Sequence, residues 1–486
     1  MSNRMRYSAT KQEALVLLCL ILIQIGLVSW YVYQSWEKEP AEFPHKLEDT
    51  LVVGYLPGER SRAQLTPFGP GFEEELVELF LEEHDFSVSW KRMQDYEQGV
   101  RSLQQGRVHL FLSGPNPRAP EGAQVVKGPG YLENRFMVLH NKWRYSMRSL
   151  EDLCTTEVVF PDRFYYRDKR KDLEKNIQCI LQSPKNTEPG AEFFKALSNP
   201  SFRFGITDKL RYKKWHGFHP EIRKSYTFEA NVRHNWMWTR DRPDLSLRFF
   251  HFWERGLTER DLEKLREKYY GFFPSEHDPY QISHFLSILQ TNALKYRDTI
   301  LEAARENDLD PLFLVALIYQ ESHFDPYATS RTGVRGLLQI TTPTAEFLGI
   351  EDRLDPHESI RGGAKYLRFL AERLERVGVE SWDKWFFALA AYNQGLGHAY
   401  DARELARRRD MNPDSWADGK ETYPLLSYRE YYQTVPRGYA RGFEAVQFVD
   451  NVRYYYYLLH GLLALSRSEV EDFSGFLDFV PSNWPN

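Results

Sequence analysis

The sequence predicts a multidomain chain: an N-terminal transmembrane helix, a two-lobed α/β domain, and then an all-α domain. Three observations carry this. A nearly unbroken apolar run opens the chain, strand and helix patterns alternate from Leu51 to about residue 270, and strand signals almost vanish thereafter. At 486 residues the chain is also too long for one ordinary core.

Ala14 to Tyr33 is apolar apart from Gln24 and Ser29. About 20 helical residues at 1.5 Å each span a hydrocarbon layer of roughly 30 Å. Arg4, Arg6 and Lys11 precede the run and Glu37, Lys38 and Glu39 follow it, so the positive side lies before the helix. Trp30, Tyr31, Tyr33 and Trp36 supply an interfacial belt at its far end. Residues 1–12 are therefore expected in the cytoplasm, 13–36 in the membrane and the remainder outside. A cleaved signal peptide competes, but no small-x-small site follows the run. Cys19 is a poor lipoprotein site because apolar residues continue past it.

Residues 37–46 are polar and linker-like. An α/β domain is expected over 47–270. Leu51–Tyr55, Phe86–Trp90 and Val108–Leu112 carry strand patterns, with an amphipathic helix at Phe72–Glu83. A second set follows: strands at Glu157–Phe160 and Arg203–Thr207 and a helix around Asp172–Leu181. Two such sets imply two lobes. Helices at Leu245–Arg255 and Glu259–Tyr269 close the domain. Outside the cytoplasm Cys154 and Cys179 can form a disulfide, although two free buried thiols fit the sequence equally.

A Pro/Gly/acid-rich linker is expected at 271–283, an all-α domain at 284–466 and a tail at 467–486. Ile282–Asn307, Pro311–Ser322, Pro343–Leu348, Ser359–Val377, Asp383–Tyr392 and Phe443–Leu465 all have helical periodicity.

Composition narrows the function. A formal net charge of -5 gives no support to a nucleic-acid partner, and the runs Arg167–Lys171 and Arg407–Arg409 are interleaved with acids. Aromatic residues make up 15%, which suits stacking on sugar rings as well as large cores. There is no His-Glu-x-x-His and no paired CxxC, so no metal or other cofactor is expected.

The segment that carries chemistry begins at Asp310-Pro311, an N-cap acceptor followed by Pro at the first helical position. Leu314, Leu317 and Ile318 form its packed stripe. Glu321 follows Ile318 by three residues and Leu317 by four, so it projects from the same apolar side. Desolvation there raises a carboxyl pKa, and an acid that stays protonated near neutrality can donate to a glycosidic oxygen. Asp325-Pro326 ends the helix nearby, which leaves Glu321 facing a loop.

Three runs then occur in order: Gln320-Glu321-Ser322-His323-Phe324-Asp325-Pro326, Gly336-Leu337-Leu338-Gln339, and Ala390-Ala391-Tyr392-Asn393. They resemble the successive motifs of the lysozyme-like family 1 lytic transglycosylases. The run Tyr431–Gly442 and the two-lobed domain resemble membrane-bound members of that family, whose front module is similar to periplasmic amino-acid-binding proteins. The resemblance covers residues 47–465 and implies a lysozyme-like catalytic domain acting on peptidoglycan glycan strands in the periplasm of a Gram-negative bacterium.

It implies Glu321 as sole catalytic acid/base, with Ser322, Gln339, Tyr392 and Asn393 shaping the groove or contacting saccharide. Leu338 stands where the family usually has Met, and Phe448 where it usually has Tyr. The second exchange removes a hydroxyl near the reacting ring, for which Tyr439 and Tyr455 are the candidate replacements. In the front domain Arg118 and Asp208 fall where relatives grip a ligand's carboxylate and amino group, so a muropeptide or amino acid is the implied ligand. The competing functions are a goose-type muramidase and a non-catalytic glycan-binding sensor or scaffold.

Overall fold

The computed structural model describes residues 50–56, 65–84, 86–119, 124–183, 186–187, 190–199, 201–274 and 279–467. The apolar N-terminal run, the polar linker after it and the tail beyond 467 lie outside these residues. Among the described residues no helix is long and apolar enough to cross a membrane.

The α/β part is built on β1 (Thr50–Tyr55), β2 (Ser87–Arg92), β3 (Leu110–Pro115), β4 (Val125–Asn141), β5 (Val158–Pro161), β6 (Asn186–Thr187), β7 (Phe204–Asp208) and β8 (Ile222–Thr239). Their order in the sheet is β2-β1-β3-β8-β4-β7-β5-β6. β1 pairs with β3 in parallel, and β5 pairs in parallel with both β6 and β7. Helices Phe72–Glu82 and Tyr96–Gln104 belong to the first group, and Phe164–Ile177, Ala191–Ser198 and Lys209–Trp215 to the second. These groups are the two lobes. The antiparallel β4–β8 ribbon joins them, with β3 on one side and β7 on the other.

β4 and β8 carry no strand expectation in the sequence, and the reason is physical. Gly128-Pro129-Gly130 interrupts β4, and the ribbon shifts register at four places, so no single alternating pattern survives along either strand.

Helices dominate from Pro279 onward, a start that falls inside the stretch expected to be linker. The single helix expected over Ile282–Asn307 is three pieces: Pro279–Thr291, a 3-10 turn at Ala293–Tyr296, and Arg297–Glu306. The break falls at Asn292, a residue type whose side chain competes with helical backbone bonds. Helices Leu396–Arg408 and Trp416–Thr422 are additional to those expected.

Two features tie the α/β part to the helical part. Phe68 is fully buried, with its ring 5.1 Å from Trp382 and 5.6 Å from Phe386. Arg453, on the helix Gly442–Arg467, is fully buried as well. Its guanidinium donates to the Glu267 carboxylate and to the carbonyls of Glu267 and Lys268, and lies over the Phe386 ring at 4.2 Å. A buried guanidinium is tolerable because both terminal nitrogens are satisfied in this way, with only Nε left without a hydrogen-bond partner.

Cys154 and Cys179 are joined as a disulfide, linking the 3-10 turn Leu150–Thr155 to the end of the helix Phe164–Ile177. The bond closes a loop of sequence separation 25. In the chain-entropy picture such a loop is worth about 3 kcal/mol. Replacing both cysteines by serine is expected to destabilise the second lobe by about that amount in urea unfolding, and an unchanged midpoint would contradict it.

Candidate active site

The helix Pro311–Ser322 starts where Asp310 Oδ1 accepts from the Leu312 N–H at 2.7 Å, with Pro311 at the first position. It ends at His323, whose φ of 52° is left-handed and whose N–H returns to the Tyr319 carbonyl. Every residue from Pro311 to Tyr319 is buried, not only the expected stripe. A helix that is apolar all round belongs at the centre of a domain. It packs against Arg297–Glu306 and Gly442–Arg467, and Tyr456 of the latter donates to Asp310 Oδ2 at 2.8 Å.

Glu321 emerges at the last turn of this helix, half-buried. Burial pushes its carboxyl up from 4.5 to about 8, and loss of water is the sole cause. No neighbouring charge or hydrogen bond enters. Asp325 and Glu346, the carboxylates nearest to Glu321 along the chain on the loop and helix that follow it, make no contribution to it. Asp325 is exposed and accepts from the Tyr327 N–H at 2.9 Å, and Glu346 is exposed on the helix Thr342–Leu348.

The loop after the helix is held in place by the helix Pro356–Glu375. The Leu338 N–H donates to Ser359 Oγ at 3.1 Å, and Leu338 is fully buried against Gly363. A Cβ at Gly363 would lie 2.4 Å from Leu338 Cδ1, so only glycine lets the loop sit this close. Gly336, at φ 102°, makes the turn into the loop, and Arg353 Nη1 donates to the carbonyls of Arg335 and Ile340. Gln339 is itself left-handed at φ 48°. Its amide donates to the carbonyls of Ala328 and Gly336, while its buried Oε1 has no partner in the structure.

Tyr392, on the helix Ser381–Gln394, donates its hydroxyl to the Leu338 carbonyl at 2.8 Å. Burial raises its pKa well above the usual phenol value, and the Glu321 carboxyl adds to this. Glu321, Leu338, Gln339 and Tyr392 thus come together around one end of the central helix. Tyr366, ring 5.4 Å from Tyr392, stands behind them. Neither Ser359 nor Tyr366 was singled out from the sequence, but Gly362-Gly363 inside a helical pattern was the available sign of a close approach.

Other candidates sit differently. Ser322 is buried with its hydroxyl turned back to the Ile318 carbonyl at 3.3 Å. Asn393 is exposed and accepts from Gln394 Nε2 at 2.8 Å. Phe448 is buried. Tyr455 packs on Tyr319 with ring centroids 4.7 Å apart, and Tyr319 lies two residues before Glu321, just over half a turn around the helix. Tyr439 is exposed, against Tyr432.

In the α/β part, Asp208 is a correction. It is fully buried, and its oxygens accept from Asn134 Nδ2, the Tyr166 hydroxyl, the Arg211 N–H and the Arg211 guanidinium. Burial would raise its pKa, but Arg211 and these hydrogen bonds outweigh it and hold the carboxyl well below the usual range. Such a group caps its helix and has nothing left for a ligand's amino group. Arg118 is exposed, paired with Asp168 of the second lobe at 3.3 Å.

Residues 298–414 match the family model described as the transglycosylase SLT domain. A membrane-bound lytic murein transglycosylase F from Shewanella sp. (strain MR-4) is 31% identical over 438 residues, covering 90% of this chain and 90% of that protein. The Shewanella denitrificans (strain OS217) protein of the same name is 32% identical over 410 residues, 84% of this chain and 81% of its own. Among solved structures, an ancestral arginine-binding protein bound to arginine aligns with 46% of this chain and 100% of its own at TM-score 0.38 and 18% identity.

The raised pKa of Glu321 has a consequence for stability. Between pH 4.5 and about 8 the folded protein holds a proton that the unfolded chain has released, so stability contributed by this group is present below pH 4.5 and lost as pH rises to about 8. Glu321→Gln is therefore expected to match the parent in urea unfolding at pH 4 and to exceed it at pH 8. Equal stability at both values would contradict this.

Proposed function

The chain belongs to the membrane-bound lytic murein transglycosylase F family, a family of peptidoglycan lytic transglycosylases, and on that premise we propose that Glu321 alone is its catalytic acid and base. The observation that carries the reading is the Glu321 carboxyl, held protonated by loss of water with no second carboxylate acting on it. Hydrolytic glycosidases generally need two carboxyl groups. A single one suits a reaction in which the substrate supplies its own nucleophile.

Protonated Glu321 gives its proton to the oxygen bridging MurNAc and GlcNAc. The glycosidic bond breaks, GlcNAc leaves as the alcohol, and positive charge develops at C1 of MurNAc, where the N-acetyl group of the same sugar can stabilise it. Glu321, now a carboxylate, takes the proton of the MurNAc O6 hydroxyl as that oxygen closes on C1. The product end is 1,6-anhydroMurNAc, no water is consumed, and Glu321 is again protonated. Closure within one ring has a high effective molarity if the ring is correctly held. Tyr392, Leu338 and Gln339 are the groups for that holding: Tyr392 fixes the loop carbonyl, and the unpartnered Gln339 Oε1 is an acceptor for a sugar hydroxyl or amide.

The wider setting is also part of the proposal. Residues 13–36 anchor the chain with its N-terminus in the cytoplasm and the catalytic domain in the periplasm of a Gram-negative bacterium. The charge asymmetry around the apolar run supports this, as do the relatives' names, which say membrane-bound. The two-lobed domain takes a muropeptide or amino acid. Arg118 remains the group for its carboxylate, at a cleft of about 330 Å³ that also includes Tyr165 and Asp168.

Two outcomes are expected from sacculus digestion followed by mass spectrometry. The parent protein yields chains ending in 1,6-anhydroMurNAc, whereas ends one water heavier would overturn the lyase reading. Glu321→Gln lowers turnover by at least about a hundredfold, the usual worth of a general acid. Parent activity is further expected to fall above about pH 8, where Glu321 loses its proton; a rate that keeps rising through pH 9 would contradict the acid role.

A further inference from the structure

The β4–β8 ribbon has two faces of different electrical character. Side chains alternate across a strand. Phe136 and Val232 face the cleft that holds Arg118, where the cations Arg118, Lys127 and Lys169 share the lining with two carboxylates, Asp168 and Asp172. Arg135 and Met137 face a second cleft of about 430 Å³, between the ribbon and the helix Lys209–Trp215. Five cationic side chains line it: Arg135, Lys209, Lys213, Arg223 and Lys224. Among the described residues no acidic side chain lines it, and none of the five forms an ion pair.

Their partners are neutral. Arg135 Nε donates to the Asn231 amide oxygen at 2.6 Å, and Lys213 Nζ reaches the Tyr270 carbonyl at 3.4 Å. Lys213 and Arg223 are half-buried, so solvent screens them only in part. The pKa of Lys213 is lowered by burial first and then by Lys209 and Lys420, with Glu267 the one carboxylate that opposes them. Like charges gathered without a counter-charge weaken the fold unless something anionic comes to them.

We propose that this second cleft binds a small multivalent oxyanion, one carrying two or more carboxylate or phosphate groups. The planar fork of Arg223 suits either group bidentately, and the lysines act as point charges around it. The site is independent of the catalytic reading: it lies on the α/β part and uses none of the groups around Glu321. The same oxyanion chemistry exists on free solutes and on lipid headgroups, and the test separates them.

Calorimetry of the full chain at low ionic strength, with sodium tripolyphosphate and trisodium citrate as probes, is the direct test. Binding of at least one probe at one site per chain is expected, weakening as salt is raised. The double change Lys213→Gln with Arg223→Gln is expected to lower affinity at least about tenfold, since two charge-assisted contacts are removed. Lys209→Gln with Lys224→Gln, at exposed positions that the fold does not depend on, is expected to weaken it in the same direction. Lys91→Gln, an exposed change on the edge strand β2, leaves it unchanged. The proposal is overturned by absence of heat with both probes, by affinity indifferent to both double changes, or by an equal loss in Lys91→Gln. It is also overturned if only phosphatidylglycerol vesicles bind through these residues and the free anions do not.

Discussion

A carboxyl group deprived of water at the end of a wholly buried helix is the constraint on which the catalytic domain depends. An ionised carboxylate is stable only where water, a cation or hydrogen-bond donors surround it. Glu321 is reached by none of these strongly enough to keep it charged. The surroundings therefore have to be rigid, because any loosening that admitted water would return the group to an ordinary glutamate. The N-cap at Asp310, the left-handed stop at His323 and the loop pinned by Ser359 against Gly363 all fix that geometry.

Three carboxyl groups in this chain, Asp208 fully buried and Asp383 and Glu321 half-buried, show how partners, rather than burial alone, decide the outcome. Asp208 has a guanidinium and several donors, and is held ionised far below the usual range. Asp383 is raised by burial to about 6, restrained by the Trp416 N–H that donates to it at 2.7 Å. Glu321 has no such restraint and reaches about 8. Only the last is both protonated near neutrality and placed where the helix opens onto a loop. The first is structural by the same reasoning that leaves the third protonated.

Much of this was legible in the sequence where local chemistry and the tertiary outcome agree. The helix Pro311–Ser322 was readable to its ends because Asp310-Pro311 and the residues before Pro326 are strong boundary signals. The parallel strands of each lobe were readable as short apolar runs. β4 and β8 were not, since Gly128-Pro129-Gly130 and repeated register shifts erase the alternation that marks a strand. The position of Glu321 was legible from one apolar stripe, whereas Pro311 to Tyr319 is buried on every side. What a sequence cannot convey is where a polar side chain turns. Ser322 looks back to its own helix, Asp208 is enclosed by Arg211 and Tyr166, and Tyr392 binds the loop instead of facing open space.

The protonation state of the Glu321 carboxyl group is open to direct measurement by infrared difference spectroscopy. The C=O stretch of a protonated carboxylic acid, present in the parent and absent in Glu321→Gln, should persist through neutral pH and vanish with a midpoint near 8. A midpoint near 4.5, the ordinary value for glutamate, would contradict the account.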